Sequence, residues 1–142
     1  MAEIRLERVE KRFAGAATPA ADGVDLTVPE GSFYGLLGPS GSGKTTLLRL
    51  VAGFEAPDAG RVVIGGEAVE ALAPERRGLG VVFQSYALFP NMSVAENVAF
   101  GLRARGLGRA ERRARTAEAL ALVRLEGFGD RRPHRLSGGQ RQ

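Results

Sequence analysis

Gly38-Pro39-Ser40-Gly41-Ser42-Gly43-Lys44-Thr45-Thr46 carries the chain's clearest chemistry. It fits G-x-x-x-x-G-K-[ST], a loop that cradles phosphate. Glycines let the backbone turn tightly and approach a ligand without a Cβ in the way. The loop opens into an apolar stretch from Leu47 to Ala52, read as a helix, so unpaired amides at its start converge on one spot. Lys44 has the length to reach terminal phosphates, and the Thr45 hydroxyl suits Mg²⁺. A second string, Leu136-Ser137-Gly138-Gly139-Gln140, is phosphate-friendly in the same manner: a serine and two glycines stand where a helix begins.

These residues need elements to position them. Residues 3–11 alternate polar and apolar, which predicts a half-buried strand with Ile4, Leu6 and Val9 inward. Residues 14–22 are small and turn-prone. Residues 23–37 are expected to form two strands around the Pro29–Ser32 turn, the second being the apolar run Phe33–Leu37 that feeds the phosphate loop. The helix after the loop should stop at Gly53. Arg61–Ile64 and Ala68-Val69 flank Gly65-Gly66, a hairpin pattern. Pro74–Gly78 reads as a polar loop, and Leu79–Phe83 as a second buried core strand ending at Gln84. Ser93-Val94-Ala95-Glu96 has the capping-box pattern and predicts a helix from Val94 towards Arg105. A further helix is expected over 109–125, with Ala110, Ala114, Ala117, Leu120 and Ala121 on its apolar face and arginines opposite. Gly127 and Gly129 should end it.

Composition sets the class. The chain has 142 residues, 44% hydrophobic and 25% charged, as in an ordinary globular protein. No run approaches the length of a membrane span, and no leader segment is visible. There is no cysteine, and the single His134 excludes a histidine metal cluster. The net charge of +4 is uneven: eleven arginines against four acidic residues give +7 after position 100. With only Phe128 as an aromatic among them, the arginines read as a solvated helix face, and no nucleic-acid partner is expected.

Taken together, the phosphate loop, the Gln84 strand end and Leu136–Gln140 resemble the ATP-binding domains of the ABC ATPase family, over the span from Ile4 to Gln142. The resemblance implies an α/β P-loop NTPase with an incomplete RecA-like core, an antiparallel β subdomain and a helical subdomain. It divides the chain into 1–84 (the core part with the P-loop), 85–135 (the Q-loop and helical subdomain) and 136–142 (the signature motif). It implies that residues 38–46 hold ATP and Mg²⁺ in cis. Ser137, Gly138, Gly139 and Gln140 would meet the nucleotide of a second, head-to-tail subunit in trans. Gln84 would be the Q-loop ligand of metal and water, and Phe13 the ring that stacks on adenine. Phe13 also reads as an ordinary strand-end aromatic.

Val82-Phe83-Gln84-Ser85-Tyr86-Ala87-Leu88-Phe89-Pro90 and Glu96–Leu102 are similar to importer ATPases for polyamines, ferric iron, sulfate or sugars, the spermidine/putrescine group above all. By that likeness residues 85–92 dock an integral membrane permease at the cytoplasmic face of the inner membrane. An external solute-binding protein is then an indirect partner. The family's acidic residues for Mg²⁺ and general base are absent from the 142 residues. The chain is therefore expected to be C-terminally truncated, inactive in hydrolysis by itself, and left with exposed strand edges. The competing classes are a non-transport ABC ATPase of DNA repair or the ribosome, and a non-enzymatic nucleotide-binding fragment.

Overall fold

The structure is a computed structural model and describes residues 2–83 and 85–142. The chain divides into two compact units, residues 1–81 and 82–142.

The first unit is a four-stranded antiparallel sheet with one helix. Strands β1 (Ile4–Lys11), β2 (Ala21–Val28), β3 (Ala59–Ile64) and β4 (Glu67–Ala68) lie in the order β2-β1-β3-β4. Helix α1 (Lys44–Ala52) lies between β2 and β3 in sequence. Leu47, Leu50 and Val51 recur at helical spacing and pack on Leu6, Val9, Val62 and Val69. Leu50, Val9 and Val62 are fully buried.

Strict alternation would turn Leu6 and Val9 to opposite faces, yet both are buried. A bulge between them resolves the conflict. Arg8 adopts φ 48°, its N–H donates to Asp25 Oδ1 at 2.8 Å, and the pairing register shifts there on both sides of β1. The expected hairpin is β3–β4, turned by Gly65 and Gly66 at φ 60° and 86°. Gly53 closes α1 as expected, at φ 85°.

The predicted core strands are not formed. Residues 33–37 and 79–83 carry no ladder, and Phe33, Leu37 and Val82 are almost wholly exposed. A buried parallel strand draws its hydrogen bonds from flanking strands. The sheet of the first unit is antiparallel and is made from other segments, so these apolar runs join no strand ladder among the described residues. The Pro74–Gly78 loop also differs from expectation, because Arg77 within it is buried. Its Nη1 donates to the carbonyls of Leu50 and Val51 at 2.8 and 3.1 Å, and its Nε to Leu72 at 3.0 Å. Arg77 thus caps the C-terminus of α1, where a positive charge meets the negative end of the helix dipole.

The second unit is helical. Helix α2 (Val94–Ala104) begins with the expected capping box: Glu96 N–H donates to Ser93 Oγ and Ser93 N–H to Glu96 Oε2. Helix α3 (Arg109–Leu122) ends three residues earlier than expected. Arg124 takes φ 56°, and Leu125 N–H reaches the carbonyl of Leu120 at 2.8 Å. The buried side of α3 is also not the alanine stripe. Thr116 and Leu120 are buried, whereas Ala110, Ala114, Ala117 and Ala121 are exposed. Val94, Leu120 and Leu136 form the small core, with Val98, Leu125 and Phe128 against it. A short helix, α4 (Gly138–Arg141), closes the described residues.

Candidate functional site

The phosphate loop lies in the first unit, at the end of a stretch that forms no helix or strand and just before α1. Gly43 is the residue on which α1 starts. It has φ 84°, and its carbonyl accepts the first helical bond, from Leu47 N–H at 2.9 Å. A Cβ at Gly43 would lie 2.1 Å from the carbonyl oxygen of Ala20, so both its conformation and its surroundings require glycine. Gly41 is left-handed too, at φ 83°, but faces open space. A Cβ on Gly38 would meet Ser42 Oγ at 2.8 Å.

Lys44 folds back over the loop. Its Nζ donates to the carbonyls of Gly38 and Pro39 at 2.9 and 2.6 Å and lies 3.1 Å from Ser42 Oγ. The ammonium is therefore held against the loop, while the amides of Lys44, Thr45 and Thr46 at the helix start have no partner within the helix. No side chain caps this end of α1 and no acidic residue sits in its first turn. Ser40 and Thr45 are exposed and Thr46 half-buried. The loop thus combines a cation, left-handed glycines and a helix start, the features that suit a polyphosphate.

Phe13 belongs to the same unit and is 38% exposed. Lys11 Nζ lies 5.7 Å from the ring centroid. Lys11 is in turn fixed by Asp58, whose Oδ1 is 3.0 Å from its Nζ and whose Oδ2 accepts from Arg12 N–H at 2.7 Å. The Arg12 amide first, then Lys11, hold the Asp58 carboxyl below its ordinary value. From Phe13 the chain returns to Ala20, the residue that abuts Gly43.

Ser137, Gly138, Gly139 and Gln140 lie in the second unit. Ser137 and Gln140 form a capping box of their own: Gln140 N–H donates to Ser137 Oγ at 3.3 Å, and Ser137 N–H to Gln140 Oε1 at 2.9 Å. The S-x-x-Q spacing carried that signal in the sequence. Gly138 and Gly139 have open space where a Cβ would be. Gln84 lies outside the described residues. After it, Tyr86 and Phe89 are partly exposed, with Leu88 and Met92 half-buried.

Asn97, which no sequence motif marks as a structural residue, organises this segment. Its Oδ1 accepts from Phe89 N–H at 2.8 Å, and its Nδ2 donates to the carbonyls of Phe89 and Ser93 at 3.1 and 2.9 Å. The Phe89 ring rests on Phe100, with centroids 4.6 Å apart.

The family model for ABC transporters matches residues 21–142. The chain belongs to the ABC transporter family. It is 52% identical over 139 residues to the spermidine/putrescine import ATP-binding protein PotA of Rubrobacter xylanophilus, covering 98% of this chain and 36% of that protein. It is likewise 52% identical over 139 residues to the Fe(3+) ions import ATP-binding protein FbpC of Escherichia coli K12, covering 98% of this chain and 39% of that one. Among solved structures, a dimeric ATP-binding cassette in a post-hydrolysis state, bound to ADP and Pi, superposes with a TM-score of 0.86 at 32% identity. That match covers 97% of this chain and 65% of the cassette. The chain thus spans a little over a third of the curated relatives it matches. The fold is that of part of an α/β P-loop ATPase cassette, with an antiparallel β unit and a helical unit.

Proposed function

We propose that this chain is part of the ATP-binding subunit of an ABC importer, which couples ATP binding and hydrolysis to uptake of a solute, a polyamine in the first instance. The observation that carries the nucleotide half is the Lys44 ammonium tied to the loop carbonyls above the start of α1. The likeness to import ATP-binding proteins for spermidine/putrescine and Fe(3+) supports the transport half.

In this reading Gly38–Thr46 hold the phosphates. Thr45 and Gln84 serve Mg²⁺, and Phe13 stacks on the base. ATP supplies a phosphoanhydride, and these residues bind and orient it. Ser137–Gln140 face the nucleotide of a second subunit. Residues 85–92 meet the permease at the cytoplasmic side of the inner membrane, and an external solute-binding protein delivers the substrate. Among the described residues, no helix is long and apolar enough to cross a membrane.

Equilibrium titration with a fluorescent ATP analogue tests the cradle. Lys44→Ala is expected to weaken binding at least about tenfold, roughly 1.4 kcal/mol or more. Equal affinity in the variant would refute the assignment. Co-purification with an integral membrane subunit, lost in Phe89→Asp, tests the transport half. Retention on ribosomes or DNA instead would overturn it.

A further inference from the structure

The loop over residues 12–20 connects two parts of the candidate nucleotide site within the first unit. Phe13 stands near its start, and Ala20 at its end abuts Gly43. The loop cannot hold itself by burial. Apart from Phe13 and Pro19 its apolar residues are alanines, with Gly15 among them, and residues 12–18 are exposed. Ordering such a segment costs chain entropy that its small side chains do not offset, so polar ties must fix it.

Asp58 supplies such ties from 46 residues away. Its Oδ2 accepts from the Arg12 amide at 2.7 Å, at the root of the loop, and its Oδ1 lies 3.0 Å from Lys11 Nζ. The carboxylate is itself anchored. Asp58 N–H donates to the Glu10 carbonyl at 2.9 Å, and Ala59 beside it pairs with Glu10 across β1 and β3. Asp58 therefore closes on residues 10, 11 and 12 in turn.

Lys11 passes that constraint on in two directions. Its ammonium lies 5.7 Å from the centroid of the Phe13 ring, within cation–π range. Its carbonyl accepts from Ala20 N–H at 2.7 Å, and Ala20 carries the carbonyl that a Cβ on Gly43 would meet at 2.1 Å. A fully exposed ion pair would hold little in place. Here the Lys11 side chain is 14% exposed, both carboxylate oxygens are engaged, and the cation has a ring as its further partner.

We propose, on the reading that Phe13 stacks on the base, that Asp58 and Lys11 are positioning residues of the nucleotide site, holding the Phe13 ring in place relative to Gly43 and the start of α1. They govern the base and leave the phosphates to Lys44 and the loop amides. An aromatic platform adds most to affinity when its place is set before the ligand arrives, because a loose ring must be ordered at the moment of binding.

Calorimetric titration with ATP and with inorganic tripolyphosphate, both in the presence of Mg²⁺, separates the two contributions, since tripolyphosphate has no base. The unchanged chain is expected to bind ATP more tightly than tripolyphosphate. Asp58→Asn keeps an oxygen for the Arg12 amide and loses the charge; Lys11→Met keeps the aliphatic stem and loses the cation. Each should weaken ATP binding about fivefold and leave tripolyphosphate binding within about twofold. In a Phe13→Ala background neither substitution should weaken ATP binding further. Equal losses for both ligands would show that the pair acts through folding alone and would overturn the proposal. ATP affinity unchanged in both variants, or a loss that persists without Phe13, would overturn it as well. Failure of the underlying reading looks different. An unchanged chain that binds tripolyphosphate as tightly as ATP has no base platform, and one that binds neither has no phosphate site; either result removes this inference together with the reading it rests on.

Discussion

Gly43→Ala is the most incisive perturbation of the phosphate loop, because its cost separates into two parts. The first is conformational. Gly43 sits at φ 84°, and an L residue there costs about 1–2 kcal/mol. The second is steric. The new Cβ would lie 2.1 Å from the Ala20 carbonyl oxygen, where ordinary contact begins at 3.4 Å. The carbonyl would have to retreat by about 1.3 Å. It has little room, since Ala20 N–H is bonded to the Lys11 carbonyl at 2.7 Å and Ala21 is buried in the β1–β2 ladder. Overpacking of this kind costs about 1–3 kcal/mol, for a total of about 2–5 kcal/mol. Gly41→Ala is the matched control: its φ is 83°, but nothing lies within 4 Å of its Cβ. It should cost only the conformational part, about 1–2 kcal/mol. Denaturant unfolding of the two variants is the assay. Equal losses in both would refute the claim that the Ala20 backbone dictates Gly43.

Three other outcomes are expected. Arg77→Met removes a buried donor to three carbonyls and should cost about 2–4 kcal/mol by denaturant unfolding; no measurable loss would show that α1 does not depend on this cap. Asn97→Ala should cost about 1–3 kcal/mol and speed proteolysis within 85–93, since one amide holds Phe89 and Ser93 together. Asp58, held below its ordinary value by the Arg12 amide and then by Lys11, contributes stability that is complete above about pH 4 and is lost as the pH falls through its folded value. The melting temperature should therefore drop from about pH 4 downwards, and Asp58→Asn should flatten that part of the profile.

What the sequence made legible was whatever is decided locally. The Gly53 stop, the Gly65-Gly66 hairpin and the Ser93–Glu96 cap each depend on a few neighbouring residues, and each stands where expected. The loop geometry was readable for the same reason: Gly43 starts α1 in the left-handed region and Lys44 folds back on carbonyls five and six residues before it. Arg77 and Asn97 were not readable. An arginine in a polar loop and an asparagine in a helix look like surface residues until the backbone carbonyls they serve are brought to them from 26 residues and 8 residues away.

The two missing strands show the limit more sharply. Phe33–Leu37 and Leu79–Phe83 have the apolar content of core strands, but content does not fix a conformation. A strand, however, is a relation between segments. Composition specifies only that a run gains by burial, and the partner must come from elsewhere. The β1 bulge makes the same point in reverse. Leu6 and Val9 differ by an odd number of positions, so both can be buried only if the pairing slips between them. The slip is built from residues far apart in sequence. Asp25 in β2 takes the Arg8 amide, and Gly60 in β3 brings no Cβ to where the Arg8 carbonyl stands, 2.2 Å from the site a Cβ would occupy. Gly60 is thus as necessary to burying Val9 as any apolar side chain. Gly60→Ala should expose the end of β1 and, through it, the Lys11–Asp58 pair that steadies Phe13.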